Sequence, residues 1–329
     1  MKEIIYPKKL KRWDHIRVIA PARSLWLISE DTINSAIERL KEFWLSVSFG
    51  KNTTKDMDCF RSSPMKARVD DLNDAFADPT VDWILSVVWW YNSNQMLDYI
   101  DYESIKKNPK ILCWFSDITS LSNAIFERTW VVWYSWPHFS SWGIKYDFEY
   151  SIEHFQKCCM EESAFSLYPA DRWSDDERFL DQEKRNFIKN EWYWILQDWA
   201  AEWRIIGWHL PCLACLQWTK YFPKFEEDTI LFLEMDEEFA PQIFDRQLQS
   251  LIQQENFSYV KGIVIWRFQH KTEMTRKILE KMLYEKIELK DMPIIANVDF
   301  WHTMPFITYP IWGKASMNTE KKEITIIEH

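Results

Sequence analysis

Ser116 stands where a serine could be made nucleophilic. The segment Ile111-Leu112-Cys113-Trp114-Phe115-Ser116-Asp117-Ile118-Thr119 runs from an apolar strand through a short turn into a helix start. A tight turn of that kind lifts a hydroxyl clear of a sheet, and the N–H that follows, here of Asp117, can face a developing oxyanion. The helix N-terminus adds a field that favours negative charge. A plain N-cap would use the same residue in the same place, and the Gly-x-Ser-x-Gly spacing is missing, so the local sequence suggests a nucleophile and leaves capping open. A base and its orienting carboxylate have to come from elsewhere. Among seven histidines, His302 in Asp299-Phe300-Trp301-His302-Thr303-Met304-Pro305 follows a strand in a loop, a setting suited to a general base. His209 follows a strand over 204–206 and suits a structural role equally well, while His15, His138, His154, His270 and His329 read as surface or capping residues. Glu234 closes the apolar run Ile230-Leu231-Phe232-Leu233, where an unpaired carboxylate is costly. It could orient a histidine, or cap a helix, or face solvent. A second strand-to-helix junction, Val87-Val88-Trp89-Trp90-Tyr91-Asn92-Ser93-Asn94-Gln95, offers Asn92 and Asn94 for substrate contact or for capping.

The elements that must hold these residues alternate. Strands are predicted over 16–20, 47–49, 83–88, 111–113 and 131–134, with helices over 32–43, 64–76, 93–100 and 117–128 between them. That alternation implies a parallel sheet with helices on both faces. From 201 onward strands dominate, over 204–206, 229–234, 262–265, 293–296 and 322–327, with helices over 240–253 and 271–284. The fold class is therefore α/β: an N-terminal parallel-sheet domain carrying the nucleophile (1–160), a charged linker or lid (161–195), and a smaller strand-rich domain (196–329).

Composition narrows the function. The chain has 329 residues and a net charge of −10, which argues against nucleic-acid binding. No apolar run is long enough to span a membrane and no signal peptide is evident, so a cytoplasmic protein is expected. Cys212-x-x-Cys215 lacks the partner ligands of a zinc site, and the six cysteines read as buried reduced thiols. No metal and no cofactor are expected.

One anomaly runs through the whole sequence: 21 tryptophans and 5 glycines. Average usage predicts about 23 glycines in a chain this long. The tryptophans sit where glycine would serve, as at Trp44, in the position just past a helix end where the backbone usually turns left-handed. All except Trp142 and Trp173 read as occupying glycine positions.

With those positions understood as glycines, the chain resembles the LD-carboxypeptidase and microcin C immunity serine peptidases. That family has a Gly-Gly-x-Asn-Ser-Asn loop, matched by Trp89-Trp90-Tyr91-Asn92-Ser93-Asn94, and a Gly-(Tyr/Phe)-Ser-Asp turn, matched by Trp114-Phe115-Ser116-Asp117. A strand ending in glutamate corresponds to Leu231-Phe232-Leu233-Glu234. A Gly-His segment and a Pro-(Ile/Leu)-Gly turn correspond to Trp301-His302 and Pro310-Ile311-Trp312. The resemblance implies a Ser116–His302–Glu234 triad in an interdomain cleft, with an oxyanion hole from the N–H of Asp117 and of Trp89 or Trp90. It implies substrate contacts from Asn92, Ser93 and Asn94, hydrolysis of an amide near the carboxyl end of a small peptide, and a homodimer. The Asn-Ser-Asn loop and Trp173-Ser174-Asp175 resemble the microcin C immunity branch, in which a linker tryptophan stacks on the adenine of a peptidyl-adenylate; Trp173 would take that part. Murein tetrapeptide trimming is the alternative within the family, and a non-catalytic two-domain ligand-binding protein the alternative outside it. A glutaminase-like amidase would call for cysteine at 116. With tryptophan beside every proposed catalytic loop, the chain as written is expected to be inactive or poorly folded.

Overall fold

Short runs of β-branched and aliphatic residues, each closed by a polar turn, build the first sheet. The computed structural model describes the chain apart from residues 1–2, 56, 89–90, 115, 178–180 and 301, and apart from the side chains of Trp114 and Trp208. It divides into two compact units, one of Met1–Phe148, Phe155–Glu162 and Cys215–Pro223, the other of Glu149–His154, Ser163–Ala214 and Lys224–His329.

The first unit holds strands β1 (His15–Ile19), β2 (Ser46–Phe49), β3 (Trp83–Ser86), β4 (Ile111–Trp114) and β5 (Trp133–Ser135). They pair in the order β2-β1-β3-β4-β5, all parallel. Helices α1 (Glu30–Glu42), α2 (Met65–Ala77), α3 (Tyr102–Lys107) and α4 (Thr119–Thr129) connect them. In such doubly wound sheets, ligands gather outside the carboxyl ends of the strands. Helix α1 shows how local sequence sets the boundaries. The Ser29 side chain accepts from the Thr32 N–H, Glu30 and Asp31 occupy the first turn, and Arg39 and Lys41 the last. At its far end the Leu45 N–H reaches the Leu40 carbonyl (3.1 Å) and the Trp44 N–H the Lys41 carbonyl (2.8 Å), a Schellman motif with Trp44 left-handed at φ 60°. The segment expected as a helix from 117 begins instead as a short 3-10 turn, Ser116–Ile118, before α4, and 93–100 is 3-10 rather than α. Helix α3 and the two-sided helix α5 (Glu149–Cys159) are additional to the sequence-based expectation.

The second unit is built on an eight-stranded mixed sheet. It comprises β6 (Phe165–Leu167), β9 (Trp194–Gln197), β10 (Ala200–His209), β11 (Thr229–Glu234), β12 (Val260–Trp266), β13 (Ile294–Val298), β15 (Lys314–Asn318) and β16 (Glu323–Glu328), in the order β6-β16-β15-β10-β11-β12-β13-β9. The four central strands β10 to β13 are parallel; the flanking pairs are antiparallel. Strands β7 (Arg172–Trp173) and β8 (Ile188–Lys189) form a small ribbon, and β14 (Tyr309–Ile311) precedes the turn at Trp312. Helices α6 (Leu210–Ala214), α7 (Pro241–Ile252) and α8 (Arg276–Tyr284) complete the unit. The charged stretch read from sequence as linker therefore also supplies β6 to the main sheet and the β7–β8 ribbon. No helix among the described residues is long and apolar enough to cross a membrane.

Seventeen described residues other than glycine have φ in the left-handed region, and seven of them are tryptophans: Trp13, Trp44, Trp130, Trp136, Trp192, Trp218 and Trp312. No described glycine has positive φ.

Candidate active site

In the first unit, β4 delivers its chain directly to Ser116. Ile111, Leu112 and Cys113 of that strand are buried, and Ser116 itself is left-handed at φ 56° and 4% exposed. A non-glycine residue in that region is strained by of order 1–3 kcal/mol, and such strain collects at functional turns. The residue after it ties two loops together. Asp117 Oδ2 accepts from the Ser93 N–H (2.8 Å), and the Asp117 carbonyl accepts from Ser93 Oγ (2.8 Å). Asn92, left-handed at φ 76°, is fixed in turn by Arg68, whose Nη1 donates to Asn92 Oδ1 (2.8 Å) and to the Pro21 carbonyl (2.8 Å). Arg68 also donates to the Ser63 carbonyl and to Gln95 Oε1. Burial holds the Arg68 guanidinium below its ordinary range, with Asp117 and Asp58 acting in the opposite direction. Asn92 thus engages Arg68 of α2 and Ser93 engages Asp117 after β4, and Asn94 is exposed. Trp89, Trp90 and Phe115 lie outside the described residues.

In the second unit the end of β11 and the loop after β13 bring Glu234 and His302 together. Glu234 ends β11 and is 1% exposed, and its Oε2 lies 2.7 Å from His302 Nδ1, whose side chain is 8% exposed. His302 also has positive φ, 27°, and its ring meets Trp266 edge-on at 5.6 Å. Sequence left Glu234 open between orienting, capping and surface roles; its contact is with the histidine.

Trp173 lies in the β7–β8 ribbon and is 9% exposed. The His270 ring stacks on it (4.8 Å, 14°), and the Arg267 guanidinium sits 4.9 Å from its centroid. His270 is held by Asp175 (2.8 Å), and Arg267 pairs with the buried Asp299.

Arg68, Asp236, Arg267 and the pairing of His209 were not legible as site residues. The one available signal for Arg68 was an arginine on the apolar stripe of α2 that includes Ala67, Leu72 and Ala75. For Asp236 it was a second carboxylate two residues beyond a strand end. The expectation of buried cysteines fails in part: Cys113, Cys158 and Cys159 are buried, Cys212 is half-buried, and Cys59 and Cys215 are exposed. Among the described residues no cluster of His, Cys, Asp and Glu could hold a metal ion.

A doubly wound parallel-sheet unit joined in sequence to a strand-rich mixed-sheet unit defines a two-domain α/β class of protein. Residues 16–135 match the LD-carboxypeptidase N-terminal domain and residues 204–317 the LD-carboxypeptidase C-terminal domain, so the chain belongs to the LD-carboxypeptidase family. YocD, a proposed carboxypeptidase of Bacillus subtilis, is 43% identical over 94% of this chain and 94% of its own. A crystal structure of an MccF-like protein from Bacillus anthracis superposes with a TM-score of 0.96 at 44% identity, covering 99% of this chain and all of that one. The microcin C7 self-immunity protein MccF of Escherichia coli is 25% identical over 89% of this chain and 87% of its own.

Proposed function

We propose that Ser116, His302 and Glu234 act together as the triad of a serine peptidase that hydrolyses an amide near the carboxyl end of a small peptide or peptidyl nucleotide. The 2.7 Å contact of Glu234 with His302 Nδ1 carries this reading. A carboxylate at Nδ1 selects the tautomer whose basic nitrogen is Nε2 and steadies the imidazolium formed on proton transfer. Ser116 Oγ then attacks the amide carbon while its proton passes to His302 Nε2. The tetrahedral oxyanion is met by the N–H of Asp117 and of Trp89 or Trp90. Collapse breaks the C–N bond as His302 returns the proton to the leaving amine, and water, activated by the same histidine, releases the acyl group.

For the substrate, MccF is described in complex with aspartyl sulfamoyl adenosine and with glutamyl sulfamoyl guanosine. Carried to this chain, that chemistry makes an aminoacyl or peptidyl nucleotide the proposed substrate, with its base against Trp173, a stacking contact of about 1–3 kcal/mol. His270 would have to leave the Trp173 ring to admit it. The ring's present engagement by His270 and Arg267 favours the second reading, a murein peptide that needs no base site. We place the reaction in the cytoplasm and on a homodimer.

The chain as written should hydrolyse slowly or not at all, because tryptophan stands at 89, 90, 114, 301 and 312. A serine-directed phosphonate should label Ser116 in a chain carrying glycine at those five positions, and Ser116→Ala should abolish the label. Ligand binding with no labelling would instead identify a binding protein. A hydrolysis panel of peptidyl sulfamoyl adenylates against murein tetrapeptide separates the two substrate readings.

A further inference from the structure

His209 closes β10 in direct register with Glu234 at the close of β11. Neighbouring residues on parallel strands project to the same face of the sheet, so the two side chains emerge together. His209 is 3% exposed, and its Nε2 lies 3.2 Å from Asp236 Oδ2 and 3.8 Å from Glu234 Oε1. Glu234 therefore has a histidine at each oxygen: His302 at Oε2, His209 at Oε1. The two rings are 5.8 Å apart. On its other side, His209 Nδ1 lies 3.0 Å from the Cys212 thiol of α6, which fixes the ring plane. The charged and titratable groups around His209 are thus Glu234, Asp236 and Glu238 after β11, Cys212 on α6 and His302 after β13.

We propose that His209 is a positioning residue for the reaction: its Nε2 edge, 3.2 Å from Asp236 and 3.8 Å from Glu234, sets positive potential between the two carboxylates and offsets part of the acidic charge that His302 faces. This rests on the triad reading given above. The physical requirement is plain. Buried Glu234 and half-buried Asp236 both bring negative charge close to one ring, and positive potential set near like charges lowers their repulsion. Remove that potential and the uncompensated negative charge holds a proton on His302, so the base is lost over a wider acidic range. Remove Asp236 and the opposite follows. A histidine that merely filled space would do neither.

The test is the titration of the His302 ring, followed by NMR in the full chain, together with the pH profile of Ser116 labelling by a phosphonate. His209→Phe, which keeps the ring and loses the N–H, should move the His302 midpoint and the acid limb of labelling upward, by less than the pH unit or more that loss of a whole nearby charge would give. His209→Gln, which keeps a donor, should leave both near their original positions. Asp236→Asn should move both downward, and it probes the pair from the other side should the Phe variant not fold. A His302 midpoint that stays still in both His209→Phe and Asp236→Asn overturns the inference whether or not Ser116 labels. A midpoint that moves while Ser116 is never labelled overturns the triad reading, and the role of His209 in the reaction with it.

Discussion

Glu234 offers one oxygen to His302 and turns the other toward His209, and this division is what a carboxylate can do that an amide cannot. Glu234→Gln would either put an N–H against Nδ1 and favour the wrong tautomer, or put a neutral carbonyl there that steadies the imidazolium less. We expect kcat to fall by on the order of 10²–10⁴ with KM little changed, measured in the glycine-bearing chain on whichever substrate the panel selects. Asp236 makes a second prediction at this scale. Burial opposes its ionisation, but the hydrogen bond from His209 and the charges of His209 and His302 outweigh that and bring it down to about 2. An acid held below its unfolded range stabilises the fold above that range and loses the contribution as pH falls through the lowered value. Stability should therefore drop by about 2 kcal/mol between roughly pH 4 and pH 2, and Asp236→Asn should remove that part of the drop in acid-unfolding curves.

At the scale of elements, the turns decide what works. The Ser93–Asp117 pair locks Ser93, after β3, to the turn after β4. Left-handed tryptophans give the cleanest test of turn strain at Trp218, which has φ 68° and is 97% exposed, so that little packing is lost with its side chain. Trp218→Gly should stabilise the chain by about 1–3 kcal/mol while Trp218→Ala should not, because alanine carries the same Cβ into the same region. Thermal or denaturant unfolding decides it. These turns also mark how far the sequence could be read. Strand β11 was legible to the residue because an unbroken apolar run ends in a glutamate, with more acidic residues beyond it. Trp44 was legible as a helix stop because strand-like residues follow it at once. The 3-10 entry to α4 was not, since Ser116 and Asp117 suit either helix type, and neither was β6, whose three residues lie in a charged segment and gain their strand character only by pairing with β16. The contacts of Asn92 and Ser93 stayed hidden because Arg68 and Asp117 meet them from other elements.

Across the whole molecule, strain adds up. Seven described tryptophans in the left-handed region, at of order 1–3 kcal/mol each, rival the roughly 5–15 kcal/mol that holds an ordinary domain together. Replacing all seven with glycine should raise the unfolding midpoint far more than any one of them, and near-additively where the sites are far apart. A left-handed site is set by the fold. This chain also places Asn92, Asn256, Asn297 and several other polar residues in that region, but the residue such a site favours most is glycine and not the bulkiest one available. That pattern is what a difference in decoding would leave. Tryptophan and glycine triplets differ by a single base, and a triplet read here as tryptophan but as glycine by the cell's own transfer RNA would convert such sites together, sparing glycines and tryptophans written with other triplets. Peptides from the source cells should then carry glycine at positions 44, 130, 218 and 312, with one shared triplet in the gene; tryptophan in those peptides would end the idea.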